Sequence, residues 1–426
     1  MHTPSEAEPA AHRECGAGTS ATAPSRRVVA LLAVASGTCV ANVYFAQPLV
    51  VQIGGELGLS AAAFGLVVTL TQIGYGVGLF LLVPLGDLID RRRLVVGQMA
   101  LLAVALMVVG SAPNAAVLLA GTAGVGLLAV VTQTLVAFGA ALAPEARRGR
   151  VVGAVTSGIV IGILLARTVS GAVADLAGWR AVYLLSAVTA CALALAVHRS
   201  LPAARSQPGE PSRAAEPSHP IRRRQAADHV RRYRTLVLST VTLFATEPVL
   251  RLRGSFALLI FAAFSTLWSC VALPLSAPPY SLSTTAIGAF GLAGAAGAVA
   301  ATWAGRWNDR GHSTRTTGLG LALLTVSWVP LALTGHSLWA LAAGVVLLDF
   351  AVQAVHVTNQ SVSYAIRPDA GSRIIGGYMI FYSAGSALGA ITSTWLYDTA
   401  GWGAVCGLGA GISAAAFALW TRSRWR

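Results

Sequence analysis

PLGDLIDRRRL, residues Pro84 to Leu94, closes a long apolar run with a glycine, two aspartates and three consecutive arginines. Its spacing is Gly86-x3-Asp90-Arg91, and Gly305-x3-Asp309-Arg310-Gly311 repeats it 219 residues further on. A glycine that lets backbones approach, followed by an acid and a base, suits the exit of a helix. One such turn is an ordinary solvated loop; the repetition carries the information. Two further echoes follow in the same order. Asp175-Leu-Ala-Gly-Trp-Arg-Ala-Val182 matches Asp398-Thr-Ala-Gly-Trp-Gly-Ala-Val405, and Arg150-Val-Val-Gly153 matches Arg373-Ile-Ile-Gly376, both displaced by 223. The chain therefore reads as two copies of one unit.

Hydrophobic residues make up 55% and charged residues 11% of the 426, which fits an integral membrane protein and excludes an ordinary soluble domain. The formal charge of +14 comes from arginines that punctuate apolar segments, which does not suit a nucleic-acid groove. Cys15, Cys39, Cys191, Cys270 and Cys406 are odd in number and widely spaced, so they form neither a disulfide framework nor a metal cluster. No phosphate-binding glycine loop ending in Lys-Ser or Lys-Thr occurs, and no cofactor is expected.

A bilayer core about 30 Å thick needs about 20 apolar residues per helix. That ruler gives twelve spans: 28–50, 62–84, 94–111, 115–140, 151–173, 180–198, 255–276, 285–304, 318–335, 338–364, 374–396 and 402–421. The fold expected is all-α, with six-helix bundles over 28–198 and 255–421. A disordered tail over 1–27, a Pro-, Ser- and Arg-rich linker over 199–254 and a short tail over 422–426 complete the chain. Glycine rows such as Gly74-x-Gly76-x-Gly78 and Gly291-x2-Gly294-x2-Gly297 read as close helix contacts. With the amino terminus inside, 28 of the 30 arginines fall in inner segments; Arg180 lies outside and Arg167 within a helix. Retention of positive charge places both termini in the cytoplasm of the inner membrane.

The paired charged loops resemble the major facilitator superfamily, whose signature G-x3-D-R-x-G-[RK]-[RK] lies between its second and third helices and, degenerately, between its eighth and ninth. The resemblance runs along both halves and implies a monomeric carrier, with Gly86, Asp90, Arg91, Gly305, Asp309 and Arg310 closing the cytoplasmic side. Helix five, Gly153-x8-Gly162-x3-Ala166-Arg167-x2-Ser170-Gly171, resembles the antiporter signature g-x8-G-x3-G-P-x2-G-G of the drug-exporting branch. Arg167 replaces its proline, Ala166 and Ser170 replace two glycines, and Ala120 stands where helix four of many proton-coupled exporters has arginine.

Ionisable residues inside a membrane are costly and mark function. In the tenth helix Asp349, Gln353, His356 and Gln360 follow i, i+4, i+7, i+11 and share one face. The face is either a structural hydrogen-bond network or a path for substrate and protons. Asp349 is the expected proton site and His356 its relay, bridged by Gln353 or water. The resemblance makes helices one, four, seven and ten line the cavity, which adds Asn42, Tyr44, Gln47, Gln133 and Trp268. Tyr and Trp suit amphipathic organic ligands. Arg167 lies about 24 Å into helix five and Asp349 about 16 Å into helix ten from the opposite face, so untilted helices separate them by near 10 Å in depth; Arg167 either snorkels to the outer interface or, as expected here, faces the bundle interior as a coupling residue that holds Asp349 ionised until a substrate or proton competes. The resulting expectation is a proton-coupled exporter of a small amphipathic solute. An importer or uniporter of the same fold is the alternative, and a transport-inactive sensor comes next. A membrane enzyme would need a nucleophile with its base or a metal cluster, and neither is apparent.

Overall fold

Gly178 and Gly401, the glycines of the two Asp-x-Ala-Gly-Trp repeats, both adopt positive φ, 81° and 72°. Glycine reaches that region without the cost a Cβ imposes, so each ends one long helix and turns the chain into the next. The repeat seen in the sequence is thus a repeated helical hairpin. The computed structural model, which describes residues 24–201, 231, 233, 242, 246–366 and 371–423, is helical throughout, with no strand among those residues. The expected tail lies, up to residue 23, outside the described residues. So do most of the expected linker, with its Arg222 to Arg224 run, and residues 424–426.

Helix 1 is Arg26–Ala41, which passes through turns and the 3-10 segment Gln47–Leu49 into Val50–Leu57. Pro48 interrupts it there by removing a backbone donor. Helix 2 is Ala61–Leu81, helix 3 Arg91–Gly110, and helix 4 Ala115–Ala129 with Val131–Leu142. Helix 5 is Glu145–Ala177 and helix 6 Trp179–Ser200. Helix 7 is Pro248–Cys270 with Ala272–Ser276; helix 8 is Thr284–Ala289, Phe290–Gly294 and Ala295–Asp309. Helix 9 is Ser313–Val326 with Trp328–Ala332, and helix 10 is Leu338–Ile366. Helices 11 and 12 are the parts of Gly371–Ser423 before and after Gly401. Among the described residues, ten stretches are long and apolar enough to cross a membrane; the last of them holds two helices, and the interrupted helix 1 supplies the twelfth crossing. Polar side chains start the helices as their ends require. Ser25 accepts from Val28 N at 3.3 Å, Ser60 from Ala63 N at 3.2 Å and Asn114 from Val117 N at 3.1 Å. Leu101, Val104, Ile161 and Val188 point outward, an apolar surface suited to lipid.

Helix 1 packs on helix 5, helix 2 on helix 4 and helix 3 on helix 6; helix 7 on 11, 8 on 10 and 9 on 12 reproduce these pairs six helices later. Glycines bring the backbones together. A Cβ at Gly74 or Gly78 would strike helix 4, one at Gly158 or Gly162 would strike helix 1, and one at Gly76 would meet Ser383 Cβ at 3.2 Å.

The halves meet through helix 2 against helix 11 and helix 5 against helix 8. Their hydrogen bonds concentrate from the midplane to the side opposite the arginine-rich loops, here called the far side. Asp175 of helix 5 accepts from Thr284 N at 3.2 Å and from Thr285 N and Oγ1 at 2.6 Å each, at the start of helix 8. Asp398 of helix 11 accepts from Ala62 N at 3.0 Å, at the start of helix 2. Gln52 donates to Thr284 Oγ1 at 2.9 Å and Thr168 to Gly288 O at 3.0 Å. Helix 5 follows helix 8 along residues 284–294 and parts from it beyond 295.

Candidate functional site

Arg167, the permanent cation inside helix 5, is 3% exposed. Its stem passes Gly291 of helix 8, where a Cβ would meet Arg167 Cβ at 3.0 Å and Cδ at 3.3 Å. The guanidinium ends in an aromatic box. Its Cζ lies 3.9 Å from the centre of the Trp268 ring, 5.1 Å from that of Tyr44 and 5.5 Å from that of Phe264. Such cation–π contacts contribute about 2 kcal/mol when desolvated. Nε donates to Gln47 Oε1 at 2.6 Å, whereas Nη2 is buried without a hydrogen-bond partner.

Asp349, 4% exposed, approaches the same indole from helix 10 and accepts from Trp268 Nε1 at 3.2 Å through Oδ1. Oδ2 looks toward Gly294, where a Cβ would stand 3.5 Å away. One ring thus receives a cation on its face and an anion at its N–H edge, as its quadrupole and dipole favour. Arg167 and Asp349 make no direct ion pair: each is held against Trp268. The depth difference expected from untilted helices is bridged by the indole.

Helices 7 and 10 run antiparallel in register, with Trp268 beside Asp349 and Phe261 beside His356. The His356 ring stands edge-on to Phe261 at 5.0 Å, and its Nδ1 lies 2.8 Å from Tyr378 OH on helix 11. Gln353 turns to helix 8, its Cγ 2.8 Å from where a Cβ on Gly297 would be, and bonds to neither Asp349 nor His356. The bridge expected of it is not made. Gln360 reaches only Met379 Sδ, at 4.0 Å. The face read from the spacing therefore fans out over helices 7, 8 and 11, because helical period fixes a direction and long side chains choose among neighbours.

Below the box, toward the arginine-rich side, Tyr44 OH and Tyr382 OH meet across the halves at 2.7 Å. The Tyr382 ring lies 4.1 Å from Phe261 and 6.3 Å from Tyr75, to which Gln133 donates at 3.3 Å. Asn42 corrects an expectation: it accepts from Ser186 Oγ of helix 6 at 2.7 Å and donates to Thr38 O at 2.9 Å, so it ties its own half together. Sequence reasoning does not single out Tyr382, Phe264 or the two capping aspartates as site residues. The aspartates lie in the repeated motif, whereas helix 11 offers no spacing that points to Tyr382.

In the charged loops Asp90 Oδ1 caps helix 3 at Arg93 N, 2.8 Å, and Arg91 donates to Gly86 O and Ala137 O at 3.2 Å each. These contacts stay within the first half. Asp309 and Arg310 are exposed at the end of helix 8. The motif glycines do not mediate close approach, contrary to the expectation: a Cβ on Gly86 would meet only Leu94 at 3.8 Å, and one on Gly305 nothing within 4 Å. Where the helices have parted there is no backbone for them to touch.

A family model described as the Major Facilitator Superfamily matches residues 29–334 and 254–426. The putative uncharacterized transporter YgaY of Escherichia coli (strain K12) is 41% identical over 398 residues, covering 93% of this chain and 96% of the relative. The probable transporter SCO4007 of Streptomyces coelicolor is 33% identical over 401 residues, 93% of this chain and 88% of its own length. Among solved structures, the inward-facing, occupied form of a bacterial homologue of the human lysosomal transporter Spinster aligns with a TM-score of 0.72 at 14% identity, covering 93% and 96%. The human organic anion transporter MFSD10 (TETRAN) aligns at 0.65 and 19% identity, covering 94% and 100%. The two structures speak for the fold alone.

Proposed function

We propose, since this chain belongs to the major facilitator superfamily and is a transporter rather than an enzyme, that it exports a small amphipathic organic solute in exchange for protons. The observation that carries this is the shared indole: Arg167 and Asp349, both nearly sealed from solvent at the junction of the halves, touch Trp268 and not each other. In a low-dielectric interior an isolated charge is costly, so each offsets the other through space. A proton on Asp349 removes one member of the pair. Solute and proton then compete for the same charged centre, which is the logic of exchange.

The arginine-rich side is assigned to the cytoplasm of the inner membrane. In that orientation the far-side contacts of Asp175, Asp398, Gln52 and Thr168 close the periplasmic face, and the halves rock about the midplane. His356, on the cytoplasmic side of Asp349 and bonded to Tyr378, relays the proton inward. The test uses inverted vesicles acidified inside and loaded with a pH-sensitive dye, challenged with amphipathic amines, amino acids and sugars. Solute-driven alkalinisation that disappears in Asp349→Asn supports exchange. Acidification on adding the solute, or no response to the whole panel, overturns it.

A further inference from the structure

We infer that the solute is a zwitterion, an α-amino acid with an apolar or aromatic side chain, whose carboxylate binds Arg167 and whose ammonium binds Asp349. The inference rests on reading these two residues and Trp268 as the transport site. Arg167 keeps the NH2 group of Nη2 buried and unpartnered, and Asp349 keeps Oδ2 with no hydrogen-bond donor among the described residues. A free donor on a cation and a free acceptor on an anion lie against one indole, the guanidinium over its face and the carboxylate at its N–H, and leave each other unbonded. Buried polar groups are ordinarily satisfied, so the buried, unmet Nη2 beside a carboxylate oxygen that lacks a donor marks a place for a ligand of two opposite charges.

The chemistry suits that class. An α-amino acid carries its carboxylate and ammonium on one carbon, as the two unmet groups lie against one indole, and each would make a charge-assisted hydrogen bond. A carboxylic acid lacking the amine would satisfy Arg167 and face the repulsion of ionised Asp349. An amine lacking the carboxylate would satisfy Asp349 beside an uncompensated guanidinium. The zwitterion alone adds no net charge to the box. Its side chain meets the rings of Phe264, Tyr44 and Trp268, which hold no further charge. Exchange also follows, because ammonium and proton seek the same carboxylate. Entry requires the Tyr44–Tyr382 contact to open on the cytoplasmic side.

The test measures binding to the purified protein by calorimetry and thermal shift, with phenylalanine, leucine and methionine, each beside its amide, its deaminated acid and its decarboxylated amine. At least one parent amino acid is expected to bind, with each truncated analogue weakened by about 100-fold or more, as for sites built to bond a polar group. In Arg167→Gln the parent and its amide should bind equally; in Asp349→Asn the parent and its deaminated acid should. Arg167→Lys, which keeps the charge, guards against misfolding and should retain part of the preference for the carboxylate. An amide, acid or amine that binds as tightly as its parent overturns the zwitterion, as does failure of all three parents at millimolar concentration. Discrimination that persists unchanged in both variants overturns the location of the site instead. The direction of transport does not enter this assay.

Discussion

Removing the Asp175 carboxylate should open the far side without unfolding helix 8. The three bonds that Asp175 accepts tie helix 5 to the first turn of helix 8, whose own cap, Ser283 accepting from Ala286 N at 3.2 Å, remains in Asp175→Ala. An N-terminal capping side chain contributes about 0.5–2 kcal/mol and a carboxylate at a helix N-terminus about 0.3–1 kcal/mol. Asp175 is exposed on one side, so solvent screening holds the total near 1–2 kcal/mol. At about 1.4 kcal/mol per tenfold, the ratio of far-side-closed to far-side-open molecules should fall by roughly 5- to 30-fold. Asp175→Asn, which keeps one oxygen, should lie between. Pulsed EPR between nitroxides at Ser111 and His336, exposed far-side positions in different halves, reads that ratio in a background without native cysteines. Adding Asp398→Ala should widen the distribution further. Superimposable distances for the wild type, the single variant and the double variant would refute the idea that these caps hold the face shut.

Asp349→Asn should abolish uphill transport driven by a pH gradient at every solute concentration, whereas solute exchange at equal pH, followed with radiolabelled solute, should persist only at about 100-fold higher solute; uphill transport that survives excludes Asp349 as the proton site. Gly291→Val should overlap the Arg167 stem, cost about 1–3 kcal/mol and lower the melting temperature, while Gly305→Val, in open space, should leave it unchanged. Glu56 accepts from Trp179 Nε1 at 2.5 Å and pairs with Arg180, and these two contacts hold its carboxyl below the usual glutamate range. Because the folded value is the lower one, this tie between helices 1 and 6 is present above the unfolded glutamate pKa and is lost as pH falls through the folded value. Once corrected for the thiolate fraction, which falls in acid for every cysteine, labelling of a cysteine at Gly55 should therefore speed up as pH falls, and Glu56→Gln should remove that dependence. In intact cells impermeant thiol reagents should reach cysteines near Ser111, Pro279 and Trp402 and not near Arg148; labelling at Arg148 from outside would reverse the orientation.

The hydrocarbon ruler found the twelve membrane helices because lipid forces backbone groups to pair within a segment, though it missed the helical residues 231, 233, 242 and 246 of the expected linker, and the Asp-x-Ala-Gly-Trp repeats found the duplication because Gly178 and Gly401 share one turn geometry. The ruler set ends too short: helix 7 begins at Pro248 and helix 5 at Glu145, because helices continue past the apolar core into water. Spacing on helix 10 selected Asp349 and His356, yet it does not say that Gln353 turns to helix 8 or that Asn42 serves helix 6. Those choices depend on tertiary neighbours. That Arg167 should work with Asp349 was readable from their depths along separate helices, and the indole of a third helix that stands between them was not.

The two aspartate caps form a crossed pair. Asp175 of the first repeat holds the start of helix 8 in the second, and Asp398, its counterpart 223 residues on, holds the start of helix 2 in the first. The capped amides correspond as well, since Thr285 and Ala62 are also 223 apart. A contact in which residue i of one unit meets j of the other while j meets i is the isologous pattern of a twofold homodimer. Two half-length copies dimerised parallel across the membrane would make both caps by the same twofold. The Arg167–Trp268–Asp349 centre has no such mirror: the same displacement carries Arg167 onto Ala390 and Asp349 back onto Gly126, and neither bears a charge. Closure follows the symmetry, and the chemistry at the centre breaks it.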